Sequence, residues 1–289
     1  MQTLKRILVA SVGPDGLETA LAKAAYLEHY SGCEIEVFQV LWDEAESEAL
    51  PEEVKQTLRD GLLAGEQKDL DQILVGARDK AASVSGQVVW HKNSDRAILD
   101  YIEERSIDLV VVPSAHHSLS DHFLTPLDWQ LIRQAKCPVL ISKSEPWNND
   151  ANVLAAVDTG DNTQEALNQE IFDKSVAMAE LLDAELHLVS VYPDLDFSFD
   201  PKRGPVAFDQ LKADMRDVRE VGMQALIADM NSAKVPTTHI LEGKAARTIP
   251  RLANDLNAVV TLFGTHGRHG IGKWILGNTA ESAMSQLRG

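Results

Sequence analysis

Residues 259–280 read VVTLFGTHGRHGIGKWILGNTA and contain the three parts of a strand–loop–helix unit. An apolar run leads into a glycine-rich loop that carries cations and no acids, and a helical pattern follows from Glu281 to Leu287. Glycines let the backbone approach a ligand closely. Amides in such a loop and at a helix start are unpaired donors with partial positive charge. The segment therefore predicts an α/β fold with an anion site where the loop meets the helix.

Two well-known phosphate motifs do not fit this loop. Gly267, Gly272 and Lys273 have Walker A spacing, but Trp274 stands where Ser or Thr must bind magnesium. A dinucleotide fingerprint needs Gly or Ala three places after Gly272, and Ile275 is there. The spacing that remains is Gly-x-x-Gly, nine residues, and a further Gly followed by Asn and Thr.

The same order of elements is written twice along the chain. Apolar, strand-like runs alternate with helical patterns, which predicts parallel sheets with right-handed crossovers. The runs lie at 7–12, 34–40, 87–90 and 109–112 in the first half, and at 153–158, 186–191, 238–241 and 260–263 in the second. We therefore expect an α/β protein of two tandem doubly wound, Rossmann-like parallel-sheet domains.

The domain bounds follow from the repeat. We expect an N-terminal domain at 1–144 and a C-terminal domain at 151–289, joined by a polar, proline-containing linker at 144–150. Cys137–Ser142 predicts a fifth strand in the first domain. At the same register the second half reaches Gly289, so its final strand is expected to be absent from this sequence.

Composition restricts the classes of partner. The chain has 44 acidic and 27 basic residues and a formal net charge of -17, which opposes binding to nucleic acid and to anionic membranes. Cys33 and Cys137 have no metal-type spacing and are typical of thiols in a reducing compartment. The start lacks the apolar core of a signal peptide, and no run approaches the roughly 20 apolar residues of a membrane span. These features predict a cytoplasmic protein.

The spacing Gly264-x-x-Gly267, nine residues, Gly277-Asn278-Thr279 resembles the ATP loop of the universal stress protein family. The family's ATP binders usually carry Ser or Thr where Asn278 stands. The resemblance extends over essentially the whole chain, and the tandem-domain E-type branch is the most similar. It implies an adenine-nucleotide alpha hydrolase-like fold. The segments that carry it outside the loop are Val88–His91, Phe123–Trp129, Cys137–Val139, Pro146-Trp147 and Gly277–Glu281.

The resemblance also implies a site in the C-terminal domain for ATP or a related adenine nucleotide, with or without magnesium. Adenosine contacts would fall on Ala156, Val157, Asp158 and Val191. Phosphate contacts would fall on Gly264, His266, Gly267, Gly277, Asn278 and Thr279, with the cations Arg268 and Lys273 in the same loop.

The first domain is expected to have lost this site. Pro113, His116 and Pro126 stand where the second domain has glycines, and proline donates no amide hydrogen bond. Val12 stands where the second domain has Asp158. We therefore expect a degenerate N-terminal site with a structural or regulatory role.

The sequence shows no catalytic constellation and no metal-ligand cluster, so any ATP hydrolysis would be slow. The implied function is stress-response nucleotide binding with a regulatory output. Two alternatives stay open: a structural or interaction protein without a nucleotide, and a binder of another anionic or partly apolar metabolite. Met215, Met223 and Met230 would line a groove in the last case. The repeat favours pairing of the two domains within one chain and leaves homodimerisation open.

Overall fold

The computed structural model describes residues 4–78, 81, 83–114, 124–147, 151–194, 208–228, 230, 234–264 and 278–287. The chain forms two compact units, Met1–Pro146 and Trp147–Gly289. Each unit is built on a parallel sheet with helices between its strands. The predicted fold class, two tandem parallel-sheet α/β domains, is confirmed.

The N-terminal unit has a five-stranded sheet in the order β3-β2-β1-β4-β5. A short 3₁₀ helix at Glu44–Ser47 precedes its longest helix. The elements are β1 (Arg6–Ser11), α1 (Leu17–Ser31), β2 (Glu34–Leu41), α2 (Glu52–Arg78), β3 (Val84–Trp90), α3 (Ser94–Arg105), β4 (Leu109–Pro113), α4 (Pro126–Gln134) and β5 (Val139–Ser142).

The C-terminal unit repeats this order with four strands among the described residues, arranged β8-β7-β6-β9. A short 3₁₀ helix at Asn162–Gln164 leads into its first long helix. The elements are β6 (Asn152–Ala156), α5 (Glu165–Leu181), β7 (Glu185–Tyr192), α6 (Phe208–Ala228), β8 (Thr237–Glu242), α7 (Ala245–Asp255), β9 (Ala258–Leu262) and α8 (Asn278–Met284).

The central strands are apolar because helices cover both faces of each sheet. On one face of the N-terminal sheet, Leu8 and Val110 pack with Ile98 of α3 and Leu131 of α4, and all four are fully buried. In the C-terminal unit, Leu154 and Val189 pack with Ile249 of α7. Full burial of one such side chain contributes about 1.5–3 kcal/mol. Among the described helices, none combines the length and apolarity needed to cross a bilayer.

Two elements differ from their sequence-based bounds. β3 begins at Val84, three residues before the predicted strand, although it contains Gly86. A Cβ at Gly86 would lie 3.0 Å from Leu74 Cδ1 and 3.2 Å from Leu70 Cδ2, so the glycine lets α2 approach the strand. α8 begins at Asn278 and not at Glu281, which agrees with the preference of Asn and Thr for helix starts.

Candidate functional site

The switch in strand order of the C-terminal sheet lies between β6 and β9. Ligands of open α/β sheets bind beyond the carboxyl ends of the strands at such a switch. Asp158 follows β6, Gly264 follows β9, and Val191 lies near the end of β7, the neighbour of β6. The fold thus brings these three predicted positions to the same edge of one sheet.

The other predicted site residues lie at the end of β6, at the start of α8, or outside the described part of the chain. Ala156 ends β6, and the amide of Val157 donates to the Val189 carbonyl at 3.0 Å, which continues the sheet by one residue. Asn278 and Thr279 form the start of α8. The predicted residues that lie outside the described part of the chain are His266, Gly267, Arg268, Lys273 and Gly277.

The backbone of Asp158 is held by one side chain of α5. Asn168 Oδ1 accepts from the Asp158 amide at 3.0 Å, and Asn168 Nδ2 donates to the Asp158 carbonyl at 2.9 Å. Asn168 is only 5% exposed, so these two bonds are shielded from water. The carboxylate itself is 48% exposed, and its Oδ1 accepts from the Gly160 amide at 3.3 Å. Asp158 therefore presents a carboxylate to solvent from a fixed main chain.

A cation from α6 faces the same carboxylate. Arg219 Nη2 lies 3.8 Å from Asp158 Oδ1, and Nη1 donates to the Met215 carbonyl at 3.1 Å. A Cβ at Gly160 would lie 2.5 Å from Arg219 Cζ, so the guanidinium packs directly against the glycine. The sequence analysis did not select Arg219. Helical spacing alone does not distinguish it from the exposed Arg216, three residues earlier.

Gly264 is explained first by packing. A Cβ there would lie 2.8 Å from Leu167 Cδ2 and 2.9 Å from Ile171 Cδ1, because the end of β9 runs close to α5. In the N-terminal unit the small and large residues are exchanged. Gly16 faces Pro113, the counterpart of Gly264, and a Cβ on Gly16 would lie 3.2 Å from Pro113 Cβ. The absence of a side chain at Gly264 is therefore not by itself a sign of a ligand.

Comparison with known proteins identifies the family. The model of the universal stress protein family matches residues 3–143 and 151–288. The chain belongs to the universal stress protein family. It is 27% identical to universal stress protein E of Photorhabdus laumondii over 299 residues, which covers 100% of this chain and 94% of that protein. It is 28% identical to universal stress protein E of Escherichia coli K12 over 281 residues, 94% of this chain and 87% of that protein.

Solved structures agree with this assignment. A universal stress protein structure from Pseudomonas aeruginosa UCBPP-PA14 aligns with a TM-score of 0.71 at 29% identity, covering 99% of this chain and 91% of that one. A universal stress protein from Archaeoglobus fulgidus shares the fold, with a TM-score of 0.60 at 17% identity, 98% coverage of this chain and 93% of its own. The predicted resemblance to tandem, E-type universal stress proteins is confirmed.

The N-terminal universal stress unit has different chemistry at the equivalent edge. Val12, the counterpart of Asp158, is 55% exposed, and Leu17 replaces the buried Asn168. Gln39, at the position of Ser190, donates from Nε2 to Glu66 Oε2 of α2 at 3.0 Å. At these described positions the N-terminal unit therefore has neither the carboxylate nor the side chain that holds its backbone in the C-terminal unit. His116, counted with the lost site, lies outside the described residues, and Pro126 begins α4.

A histidine pair near the amino ends of β7 and β8 was also missed by the sequence analysis. His187 Nδ1 and His239 Nε2 are 3.1 Å apart, and His187 Nε2 lies 3.2 Å from Asn152 Oδ1. Asn152 Nδ2 donates to the Leu256 carbonyl, which turns Oδ1 toward His187. Burial lowers the pKa of both histidines, and for His239 the neighbouring His187 adds to the effect. In the described residues, no group of three or more His, Cys, Asp or Glu could hold a metal ion.

Proposed function

We propose that the C-terminal unit binds ATP or a related adenine nucleotide, and that occupancy regulates this stress-family protein rather than driving rapid catalysis. The observation that carries the proposal is the position of Asp158. Its half-exposed carboxylate stands at the strand-order switch on a backbone fixed by Asn168. An ionised carboxylate in this position can accept hydrogen bonds from ribose hydroxyls.

The adenosine end of the proposed site would use residues at neighbouring strand ends. Ala156 and Val191 are partly exposed and offer apolar surface near Asp158, whereas Val157 is buried and its amide already donates to the Val189 carbonyl. Gly264, two residues after the end of β9, lies at the same edge. The phosphate contacts assigned to His266, Gly267, Gly277, Asn278 and Thr279, and the charges of Arg268 and Lys273, rest on the family pattern of the sequence.

The proposed output is regulatory because the sequence shows no recognisable catalytic constellation with a base to activate water. Asp158 Oδ1 is already engaged by Gly160 and faces Arg219, an arrangement for holding a ligand. Loop positioning without a water-activating group supports slow hydrolysis at most. A magnesium ion would enter with the nucleotide phosphates. The cytoplasmic location inferred from composition stays a prediction.

Isothermal titration of the full chain with ATP tests the proposal. We expect saturable binding with a stoichiometry of one, weakened roughly tenfold in Asp158→Asn, which corresponds to losing one charge-assisted hydrogen bond. Asp15→Asn is the matched control, because Asp15 is an exposed acid in the turn after β1 of the N-terminal unit. Its affinity should equal that of the unaltered protein.

Absence of heat at millimolar ATP, with magnesium present, would remove the nucleotide proposal. Equal weakening by Asp158→Asn and Asp15→Asn would remove the assignment of the site to the C-terminal edge. Gly277→Ala and Arg268→Ala extend the test to the loop, where both substitutions should weaken ATP binding because they alter the proposed phosphate contacts.

A second candidate, binding of a partly apolar metabolite, is favoured by a groove between α6 and β8. The groove has a volume of about 170 Å³, below the roughly 300 Å³ at which ligand pockets usually begin, so a short apolar group would fill it. Its lining is Arg216, Glu220, Met223, Gln224, Ile227, Thr238 and Ile240. Of the three methionines predicted to line such a groove, the lining includes Met223 but neither Met215 nor Met230. Mass spectrometry of small molecules released from the purified protein separates this candidate from the first without assuming a ligand.

A further inference from the structure

We propose that Arg219 is a positioning residue that fixes the Asp158 carboxylate, and that it thereby gives the site a preference for ligands that carry a ribose hydroxyl. The inference rests on the proposed function and adds to it a residue of α6 that does not belong to the loop pattern. It is carried by three contacts between α6 and the turn at 158–160.

The first contact is the ion pair itself. Arg219 is 12% exposed, whereas the partner carboxylate is 48% exposed, so the cation approaches Asp158 from the protein side. Both the Gly160 amide and the guanidinium face Oδ1, at 3.3 and 3.8 Å. In the described residues, Oδ2 makes no hydrogen bond. One oxygen is therefore anchored and the other is left for a ligand.

The second contact joins the main chain of α6 to the same turn. Thr159 Oγ1 donates to the Arg219 carbonyl at 3.0 Å and shares a hydrogen bond with Ser190 Oγ at 3.2 Å. A Cβ at Gly222 would lie 2.6 Å from the Thr159 carbonyl oxygen. The glycine allows α6 to touch the turn, so the base of the Arg219 side chain is held beside its target.

The third contact restricts the guanidinium group. Nη1 donates to the Met215 carbonyl, and the planar group packs against Gly160. Arg219 Nε is buried and has no hydrogen-bond partner in the described residues, a cost that a side chain held only for surface solvation would not bear. The Asp158 side of this ion pair is open to water, which screens the attraction and leaves it little effect on stability, so we assign the arrangement to the orientation of Asp158.

The internal repeat supports a role tied to the ligand. In the N-terminal unit the acid is replaced by Val12, and the facing helix contributes Glu66, which accepts from Gln39 at 3.0 Å. Among the described residues of the N-terminal unit, the positions of Asp158 and Arg219 thus carry neither that carboxylate nor that cation. If the cation served only to pack this helix against the sheet, it would be expected in both units, whether or not the acid is present.

The test compares the affinities of ATP, 2′-deoxy-ATP and 3′-deoxy-ATP for the full chain. The variants are Arg219→Met, which keeps the aliphatic packing, and Arg219→Lys, which keeps the charge but loses the planar group. Arg251→Met, at an exposed position on α7, is the control. We expect the unaltered protein to prefer ATP roughly tenfold over the analogue that lacks the contacted hydroxyl, Arg219→Met to lose most of that ratio, and Arg251→Met to retain it.

A loss of affinity that is equal for all three nucleotides would overturn the proposal, because a merely structural role predicts it. A ratio unchanged by Arg219→Met would do the same. If the unaltered protein binds no nucleotide, the proposed function fails, and hydrogen exchange of the ligand-free amides at 158–161 then decides on Arg219. Faster exchange in Arg219→Met, but not in Arg251→Met, supports the positioning role; equal exchange contradicts it.

Discussion

Polar side chains that the repeat pattern did not single out determine much of the chemistry in the C-terminal unit. Asn168 holds the backbone of Asp158 from α5, Arg219 faces its carboxylate from α6, and Asn152 orients His187 from β6. Each of these residues lies in a helix or strand that the apolar pattern of the sequence predicted. Periodicity places a polar residue on a helix or strand but does not identify the atom it meets.

The histidine pair makes stability depend on pH. The pKa of His187 and that of His239 lie below 6.5 in the folded protein, mainly because of burial, so the unfolded chain takes up protons first as pH falls. The contribution of these two histidines to the free energy of unfolding should be constant above about pH 6.5. Below that pH the free energy of unfolding should decline, by at most about 1.4 kcal/mol per pH unit for each histidine. Glu185, exposed and 3.9 Å from His187 Nε2, moderates the effect for that residue.

Urea unfolding between pH 5 and pH 8 measures this dependence. His187→Gln should flatten the decline, and His29→Gln, at an exposed position near the end of α1, serves as the control. If the free energy of unfolding depends on pH equally steeply in His187→Gln and in the unaltered chain, His187 is not a source of the pH dependence.

Close approach between a helix and a strand, or the chain just after a strand, explains two glycines that sequence patterns would assign to turns or strand breaks. Gly86 lets Leu70 and Leu74 reach β3, and Gly264 leaves room for Leu167 at the end of β9. In neither case does a positive φ require the glycine. The constraint comes from a partner distant in sequence, so no local pattern reveals it.

Gly264→Ala should destabilise the C-terminal unit by about 1–3 kcal/mol, the usual cost of overpacking. The added methyl group would meet Leu167 and Ile171 at 2.8–2.9 Å. Leu167→Ala should relieve the clash, so the double variant should be more stable than the sum of the two single changes predicts. Denaturant unfolding of the four proteins measures this coupling, and strict additivity would contradict the packing account.

The repeat in the sequence was sufficient to predict both parallel sheets, because a strand–helix alternation has few allowed topologies. It also predicted that Asp158, Val191 and Gly264 follow or end strands that meet at one sheet edge. Arg219 could not be predicted, since its role depends on where α6 lies over Gly160. The first turn of α8 was misjudged because Asn278 and Thr279 suit both a ligand loop and a helix start.

Each half of the chain has its own apolar core and a strand order with a single switch. In the N-terminal unit α3 and α4 cover a face that includes Leu8 and Val110, and in the C-terminal unit α7 covers Leu154 and Val189. A core of this kind, in a unit of ordinary domain size, is sufficient for independent folding. The net charge of -17 favours solubility of the whole chain and opposes polyanionic partners.

The fragment 1–146 should fold alone into its five-stranded sheet. We expect cooperative thermal unfolding by circular dichroism and dispersed amide resonances, because the described core of this unit is built from its own helices and strands. Ile98→Ala in the fragment serves as a sensitivity control and should cost about 2–5 kcal/mol. A fragment that unfolds without a cooperative transition would show that the core needs residues beyond 146.

The reversed packing of Gly16 with Pro113 and of Leu167 with Gly264 limits how the two halves can change. Exchanging the segment that ends at Pro113 for the segment that ends at Gly264 would bring proline against leucine in one half and leave two glycines facing each other in the other. A recombination event that exchanged these segments between the repeats would therefore produce either a steric clash or a cavity where the strand end meets the helix. The two copies have become matched sets whose segments are no longer interchangeable, although their folds remain alike.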